Sequence, residues 1–308
     1  MNERPERAPM DAKLSTCPPL RNIGPAQAEC LCMSKQRATC ALALLTAALF
    51  LVPGCTRTDL DTALQEAVVL ASKAKWDLAI EQTEKCVDVA PKDTTALVLH
   101  GICLYEGERQ EDALEILQQA VTLAPEEFMP NFFYGWALAG AGKYADAVAP
   151  LSRARELRDQ HPDALPDVLV LLAKCCLEQN LPKGKTCLQA LRRYRSFAES
   201  PEVYNSLGLL QVYQGEYENA RESFGEALRH DRENAVVLQN LAVLNDVYLG
   251  DPVKAQKYYL SSLAARQAAG DSRNQEKIRG RLKRLAKERR RLLSTPEKKD
   301  TPAEPPGE

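Results

Sequence analysis

Three histidines, His100, His161 and His230, are scattered along a chain of 308 residues. No HxxxH pair, Ser nucleophile elbow or Gly-rich phosphate loop accompanies them, so the spacings that metal hydrolysis, acyl transfer and nucleotide binding require are missing. His100 directly precedes Gly101 on an apolar stripe, which predicts a packed side chain and not a catalytic one. Ten cysteines show neither a CxxC nor a Cys-His spacing of the kind that holds metal. The chain is therefore read as non-enzymatic, with no cofactor, no metal and no small-molecule substrate. What its residues can do instead is pack helices and present surfaces.

The packing pattern is clearest from Thr94 to Pro125, TTALVLHGICLYEGERQEDALEILQQAVTLAP. Leu97, Gly101 and Leu104 share one face of a first helix, and Ala113, Leu117 and Ala120 share one face of a second. Small residues at Gly101 and Ala113 let the two helices approach closely, and Pro125 stops the second. The pattern returns 34 residues on as Gly135, Leu138, Gly142, Tyr144, Ala147, Leu151 and Ala154, with Gly135 expected to face Ala147. It returns again as Leu207, Gly208, Gly215, Tyr217, Ala220, Phe224 and Ala227. A fixed period of this length signals a helical-hairpin solenoid. These residues resemble the signature of the tetratricopeptide repeat (TPR) family: a small and a large residue on the first helix, then Ala, an aromatic or Leu, and Ala on the second.

The resemblance implies an all-α fold, a TPR solenoid of about six repeats spanning 60–268, with repeats at about 60–93, 94–127, 128–164, 165–200, 201–234 and 235–268. The first is carried by Ala67, Leu70, Trp76, Ala79 and Cys86, and the sixth by Leu241, Ala242, Ala255 and Tyr259, with a loop one residue too long. The fourth is degenerate: Leu172 and Gly184 occupy the small positions, and Lys183 and Lys185 crowd its second helix. A basic amphipathic capping helix at 271–293 and a disordered tail at 294–308 follow.

Residues 1–32 have no periodicity and read as disordered or as an over-called start. From Met33 a short basic segment leads into an uncharged apolar run, Ala41 to Val52, then Pro53, Gly54 and Cys55. That order is the order of a secretory signal peptide, here 33–54. Val52-Pro53-Gly54-Cys55 is similar to the lipobox of bacterial lipoproteins, which implies cleavage before Cys55, lipidation of Cys55, a lipidated linker at 55–59 and a periplasmic location, the outer membrane favoured. An uncleaved anchor or a buried apolar helix is the competing reading. Cys17, Cys30, Cys32 and Cys40 precede the cleavage point. Cys86, Cys103, Cys175, Cys176 and Cys187 fall on predicted helices, and both a Cys86–Cys103 bridge and buried free thiols are open for an exported chain.

Charge is unevenly spread behind a net of −2: Cys55 to Gln275 carries 23 basic and 32 acidic residues, while Glu276 to Leu293 carries nine basic and two acidic. In that last stretch Ile278, Leu282, Leu285 and Leu292 recur at helical spacing beneath a basic patch of Arg279, Lys283, Arg284, Lys287, Arg290 and Arg291. It reads as a cap on the last repeat or as a contact for anionic lipid or glycan; nucleic acid is not expected of an exported protein.

Function follows from the resemblance: a lipid-anchored TPR scaffold that holds a partner protein or peptide in its concave groove at the cell envelope. One alternative is a pilotin-like assembly factor for a type IV pilus or secretion-system secretin. Another is an adaptor for peptidoglycan enzymes or anionic envelope polymers through the basic helix. Counted from the small packing residues, the groove should be lined by Val98, Ile102 and Tyr105, by Phe132, Trp136 and Ala139, and by Leu209 and Val212. Phe132 and Trp136, four apart on one helix, are expected to expose a large apolar area; packing against neighbouring first helices is the alternative. Asn205 and Gln239 are the polar exceptions, and the absence of an inward Lys argues against a receptor for chaperone tails.

Overall fold

The computed structural model describes residues 58–294, and among them every regular element is helical. The signal-like segment, Cys55 and the tail after Ser294 lie outside the described residues. The described residues divide into two compact units, 58–216 and 217–294.

The first unit is built of hairpins: α1 (Thr58–Ser72) with α2 (Trp76–Val89), α3 (Thr94–Glu106) with α4 (Gln110–Leu123), α5 (Phe128–Gly140) with α6 (Tyr144–Glu156), and α7 (Leu165–Glu178) with α8 (Lys183–Leu191). A single turn, α9 (Arg195–Ala198), leads into α10 (Pro201–Tyr213). The second unit holds α11 (Tyr217–His230), α12 (Ala235–Val243), a π-helical turn Leu244–Tyr248, α13 (Pro252–Ala268) and α14 (Gln275–Ser294).

Local chemistry fixes where these helices start and stop. Asp93, Ser200, Asn234 and Asp251 each accept a hydrogen bond from a backbone N–H three residues on, satisfying a donor left orphaned at a helix start. At α5 the same service is long-range: Phe128 N–H donates to Gln160 Oε1 at 2.8 Å. First helices end on a left-handed residue, at Ala74, Glu108, Gly142, Asn180 and Gly215. The N–H of the following residue reaches back to the carbonyl five positions earlier, Lys75 to Leu70, Arg109 to Leu104, Lys143 to Leu138, Leu181 to Cys176 and Glu216 to Gln211. This is the Schellman closure, in which glycine is favoured because it has no Cβ to clash. In the second unit the π turn stretches the closure before α13 by one residue: Asp251 N–H bonds Asn245 O at 2.8 Å, beside Gly250 in the left-handed region. The extra loop residue of the sequence is thus absorbed inside the helix end.

Small residues set the distance within hairpins. A Cβ on Gly101 would lie 2.5 Å from Leu117 Cγ, and one on Gly135 would lie 2.6 Å from Leu151 Cγ. Gly135 therefore closes on Leu151, not on Ala147 as the spacing suggested, because a helical side chain leans back toward the preceding turn. In the fourth hairpin the small residue has changed helix. Gly184 on α8 sits where a Cβ would meet Cys176 Cβ at 2.9 Å, while Leu172 on α7 is fully buried. Lys183 and Lys185 do not crowd the hairpin; their ammonium groups reach Ser152 Oγ at 2.7 Å and Glu216 Oε2 at 2.6 Å.

One apolar core runs through the first unit from Leu64 to Leu210. In the second unit Ala242, Ala255, Tyr259, Ile278 and Leu285 form a smaller core under α14.

Candidate partner-binding face

Within the first unit α1, α3, α5, α7 and α10 pack in succession, each against the next. The 34-residue period brings Val98, Ile102 and Tyr105 of α3 into the register of Phe132, Trp136 and Ala139 of α5. Their rings and branches interlock. The Tyr105 and Trp136 rings lie 4.5 Å apart and tilted, Phe128 stacks on Phe132 at 5.5 Å, and Phe133 meets Trp136 edge-on at 6.1 Å. A Cβ on Gly140 would collide with the Tyr105 hydroxyl, so the bare backbone there makes room for the phenol.

The expected exposed trough is absent. Phe132 is 2% exposed and Trp136 8%, and Val98, Ile102, Ala139, Leu209 and Val212 are buried with them. Counting along one helix leaves the pair Phe132 and Trp136 bare. The neighbouring first helix covers it, at a distance that Tyr105 and Gly140 set. These residues form a packed floor, and the half-buried Tyr105 is the member of the expected set that retains substantial surface. Tyr213, beside Val212, is 37% exposed and was missed, since its position just past the periodic residues gave no sign of orientation. Of the polar exceptions, Asn205 is buried and Gln239 accepts a hydrogen bond from Arg266 at 3.0 Å.

The groups that could do chemistry are engaged in packing. His100 Nδ1 lies 2.8 Å from Thr83 Oγ1, whose hydroxyl also bonds the Ala79 carbonyl at 2.8 Å. Burial holds the His100 pKa below its usual value of 6.5, partly offset by the negative charge of Glu84. The five described cysteines are free and buried. Burial pushes the thiols of Cys103 and Cys175 up to about 12 and that of Cys176 up to about 11, so they are protonated and weak nucleophiles at neutral pH. Among the described residues no group of three or more His, Cys, Asp or Glu is placed to hold a metal ion.

In the second unit α14 lays Ile278 and Leu285 into the core and turns Arg279, Lys283, Arg284, Lys287 and Arg290 outward. Arg291 lies in the same helix. Arg281, left out of the basic patch, points the other way. Its Nε and Nη2 donate to the two oxygens of Asp246 at 2.6 and 2.5 Å, a bidentate pair in which the Asp246 side chain is 3% exposed. Those hydrogen bonds raise the guanidinium pKa further above its ordinary range. Tyr259 Oη donates to the same carboxylate at 3.2 Å.

Comparison with known proteins bears on this architecture. Models of the tetratricopeptide repeat family match residues 64–128 and 201–234. The tetratricopeptide repeat protein 30 homologs of Drosophila pseudoobscura pseudoobscura and Drosophila melanogaster are each 27% identical over 143 residues, 46% of this chain and 21% of theirs. The chain thus spans about a fifth of the length of these curated relatives. Among solved structures, PilF of Pseudomonas aeruginosa is 18% identical with a TM-score of 0.52, over 72% of this chain and 97% of that one. PilW, described as a widely conserved type IV pilus biogenesis factor, is 17% identical with a TM-score of 0.54, over 72% of this chain and 99% of that one. At these identities the structural likeness speaks for the fold. The 34-residue period, the hairpins closed on Gly101 and Gly135 and the two family matches agree: the chain is a tetratricopeptide repeat protein.

Proposed function

We propose that this protein is a non-enzymatic scaffold that holds a partner protein or peptide against the first-helix face of its first unit, tethered at the bacterial cell envelope by lipid on Cys55. The observation that carries the reading is the unbroken succession of α1, α3, α5, α7 and α10, whose floor is packed apolar side chains with tyrosines at its surface. Such a face recognises shape and aromatic contacts without offering a group for catalysis. Tyr105 and Tyr213 are its contact residues, over the floor of Val98, Ile102, Phe132, Trp136, Leu209 and Val212.

The experiment is site-specific photo-crosslinking in cells of the source organism. A benzophenone side chain replaces Tyr213, 37% exposed, in one variant and Val89, 79% exposed on α2, in another. A discrete adduct from position 213 that Val89 does not give supports the scaffold. Equal adducts from both positions, or none from 213, refute the site. The lipobox resemblance and the fold shared with PilW favour a second reading, an assembly factor for a pilus secretin; a secretin subunit in the adduct selects it. The tether is tested separately, by release of Cys55→Ala from the membrane fraction.

A further inference from the structure

Six basic residues elsewhere on the described surface are neutralised by one rule, an acid one helical turn away. Lys85 pairs with Glu81, Arg109 with Asp112, Arg153 with Glu156, Arg221 with Glu218, Arg229 with Glu226 and Lys254 with Asp251. The outer face of α14 breaks that rule. Arg279, Lys283 and Lys287 follow one another at intervals of four, the spacing at which like charges on a helix repel. Arg290 extends the ridge, and Lys277 and Arg284 flank it. Asp246 and Glu288 are taken by Arg281, which leaves Glu276, in the first turn, as one carboxylate against the six basic side chains of this face. The second unit carries 16 basic and 10 acidic residues from Tyr217 to Ser294, against 15 basic and 24 acidic from Thr58 to Glu216. A stripe of unneutralised like charge works against the helix that carries it, which calls for a compensating anion outside the unit.

Three kinds of anionic surface could supply it. Nucleic acid is set aside on the envelope location proposed above, where an exported chain does not meet it. Helix α14 is fastened to its unit by Ile278, Leu285 and the Arg281–Asp246 pair, so one side of it is on offer. A second copy offers the exposed acidic ridge of Asp77, Glu81, Glu84 and Asp88 on α2, but exposed ion pairs without an apolar centre contribute too little each to hold two copies together. A membrane surface suits the remaining facts. It is a broad anionic plane along which one side of a docked helix can lie, and it needs no inserted aromatic, of which the described outward face of α14 has none. We propose that the outer face of α14 is an electrostatic docking surface for a membrane rich in anionic lipid, holding the second unit against the bilayer independently of any acyl chain. The ridge from Arg279 to Arg290 runs about 16 Å along the helix.

The test uses the full chain with Cys55→Ser, so that lipid on that residue contributes nothing and a failed tether reading leaves the result unaffected. Partition is measured onto vesicles of phosphatidylcholine alone and onto vesicles with a third of the lipid as phosphatidylglycerol, in low and in high salt. The anionic-to-neutral ratio cancels the apolar contribution of other segments, which both lipids share. Each basic side chain near the surface is worth about fivefold, or about 1 kcal/mol at 1.4 kcal/mol per decade. Lys283→Gln/Lys287→Gln should therefore lower the ratio about 25-fold, as should half-molar salt. Lys254→Gln/Lys257→Gln, on α13, should move it far less. An anionic-to-neutral ratio near one, or the same fall from both double variants, overturns the proposal. Salt-sensitive self-association abolished by Lys283→Gln/Lys287→Gln, without vesicle binding, overturns it in favour of the second copy.

Discussion

Replacing Gly135 by alanine tests whether the hairpins are held at the distance described, because two effects of opposite sign compete there. In a helix interior Ala is better than Gly by about 0.5 to 1 kcal/mol. Against that, the new methyl would lie 2.6 Å from Leu151 Cγ, 2.8 Å from Leu151 Cδ2 and 3.2 Å from the Leu151 backbone nitrogen. The nearest atom is the branch point of the side chain, and the backbone stands just behind it, so rotating a terminal methyl gives little relief. Overpacking of this kind costs about 1 to 3 kcal/mol, which leaves a net loss of about 1 to 2 kcal/mol. Gly225 on α11 supplies the internal control, since a Cβ there meets nothing within 4 Å. Gly225→Ala should gain the helix contribution alone, about 0.5 to 1 kcal/mol. Urea unfolding followed by far-ultraviolet circular dichroism should move the midpoint down for Gly135→Ala and up for Gly225→Ala. A cycle with Leu151→Ala sharpens the test: the added methyl should occupy part of the cavity, giving a coupling above about 0.5 kcal/mol. If both glycine variants raise the midpoint, or the cycle is additive, the contact between Gly135 and Leu151 is not what sets the spacing.

Glu108 is left-handed at φ 67° where α5 and α10 are followed by Gly142 and Gly215 at φ 76°, so Glu108→Gly should stabilise by about 0.5 to 1 kcal/mol in the same assay; a loss would show that the turn is held by the Glu108 side chain. Burial depresses the His100 pKa, so its contribution to stability is fully present above the unfolded value of 6.5 and is lost as pH falls through 6.5 toward the lower folded value. His100→Gln should therefore flatten the fall in urea midpoint between pH 7.5 and 5.5, and an unchanged slope would count against a buried neutral imidazole. With thiols pushed to about 12, Cys103 and Cys175 should resist iodoacetamide at pH 8 in the native protein and react on unfolding; mass mapping of rapid native labelling at either would refute the burial.

What the sequence made legible was local. That Gly101 faces the stripe of Ala113, Leu117 and Ala120 within one hairpin needs only two helical periods and a short turn, whereas the choice of Leu151 over Ala147 as the partner of Gly135 depends on the lean of the side chain. The burial of Phe132 and Trp136 was not legible, because it depends on Tyr105 of the preceding repeat arriving at 4.5 Å. A helical wheel describes one helix, and the cover on these rings comes from another. For the same reason Arg281 looks like its basic neighbours until Asp246, 35 residues earlier, is found across from it. By spacing Gly184 is half of a degenerate pattern, whereas the close approach has moved from the first helix to the second.

The π turn Leu244–Tyr248 has a consequence for the length of the array. One residue inserted into a helix rotates all that follows by about 100°, and here the extra residue places Asp246 under Arg281 and Tyr259. The hairpins closed on Gly101 and Gly135 share one phase and are in principle interchangeable, like links of equal pitch. The hairpin of α12 and α13 carries the extra residue at the end of its first helix, and its side toward α14 is already filled by Ile278 and Leu285. A further repeat grafted after Ala268 would arrive rotated and would find that side occupied. Duplication can lengthen this protein from within, and the π turn with its clasped carboxylate forbids growth at the end.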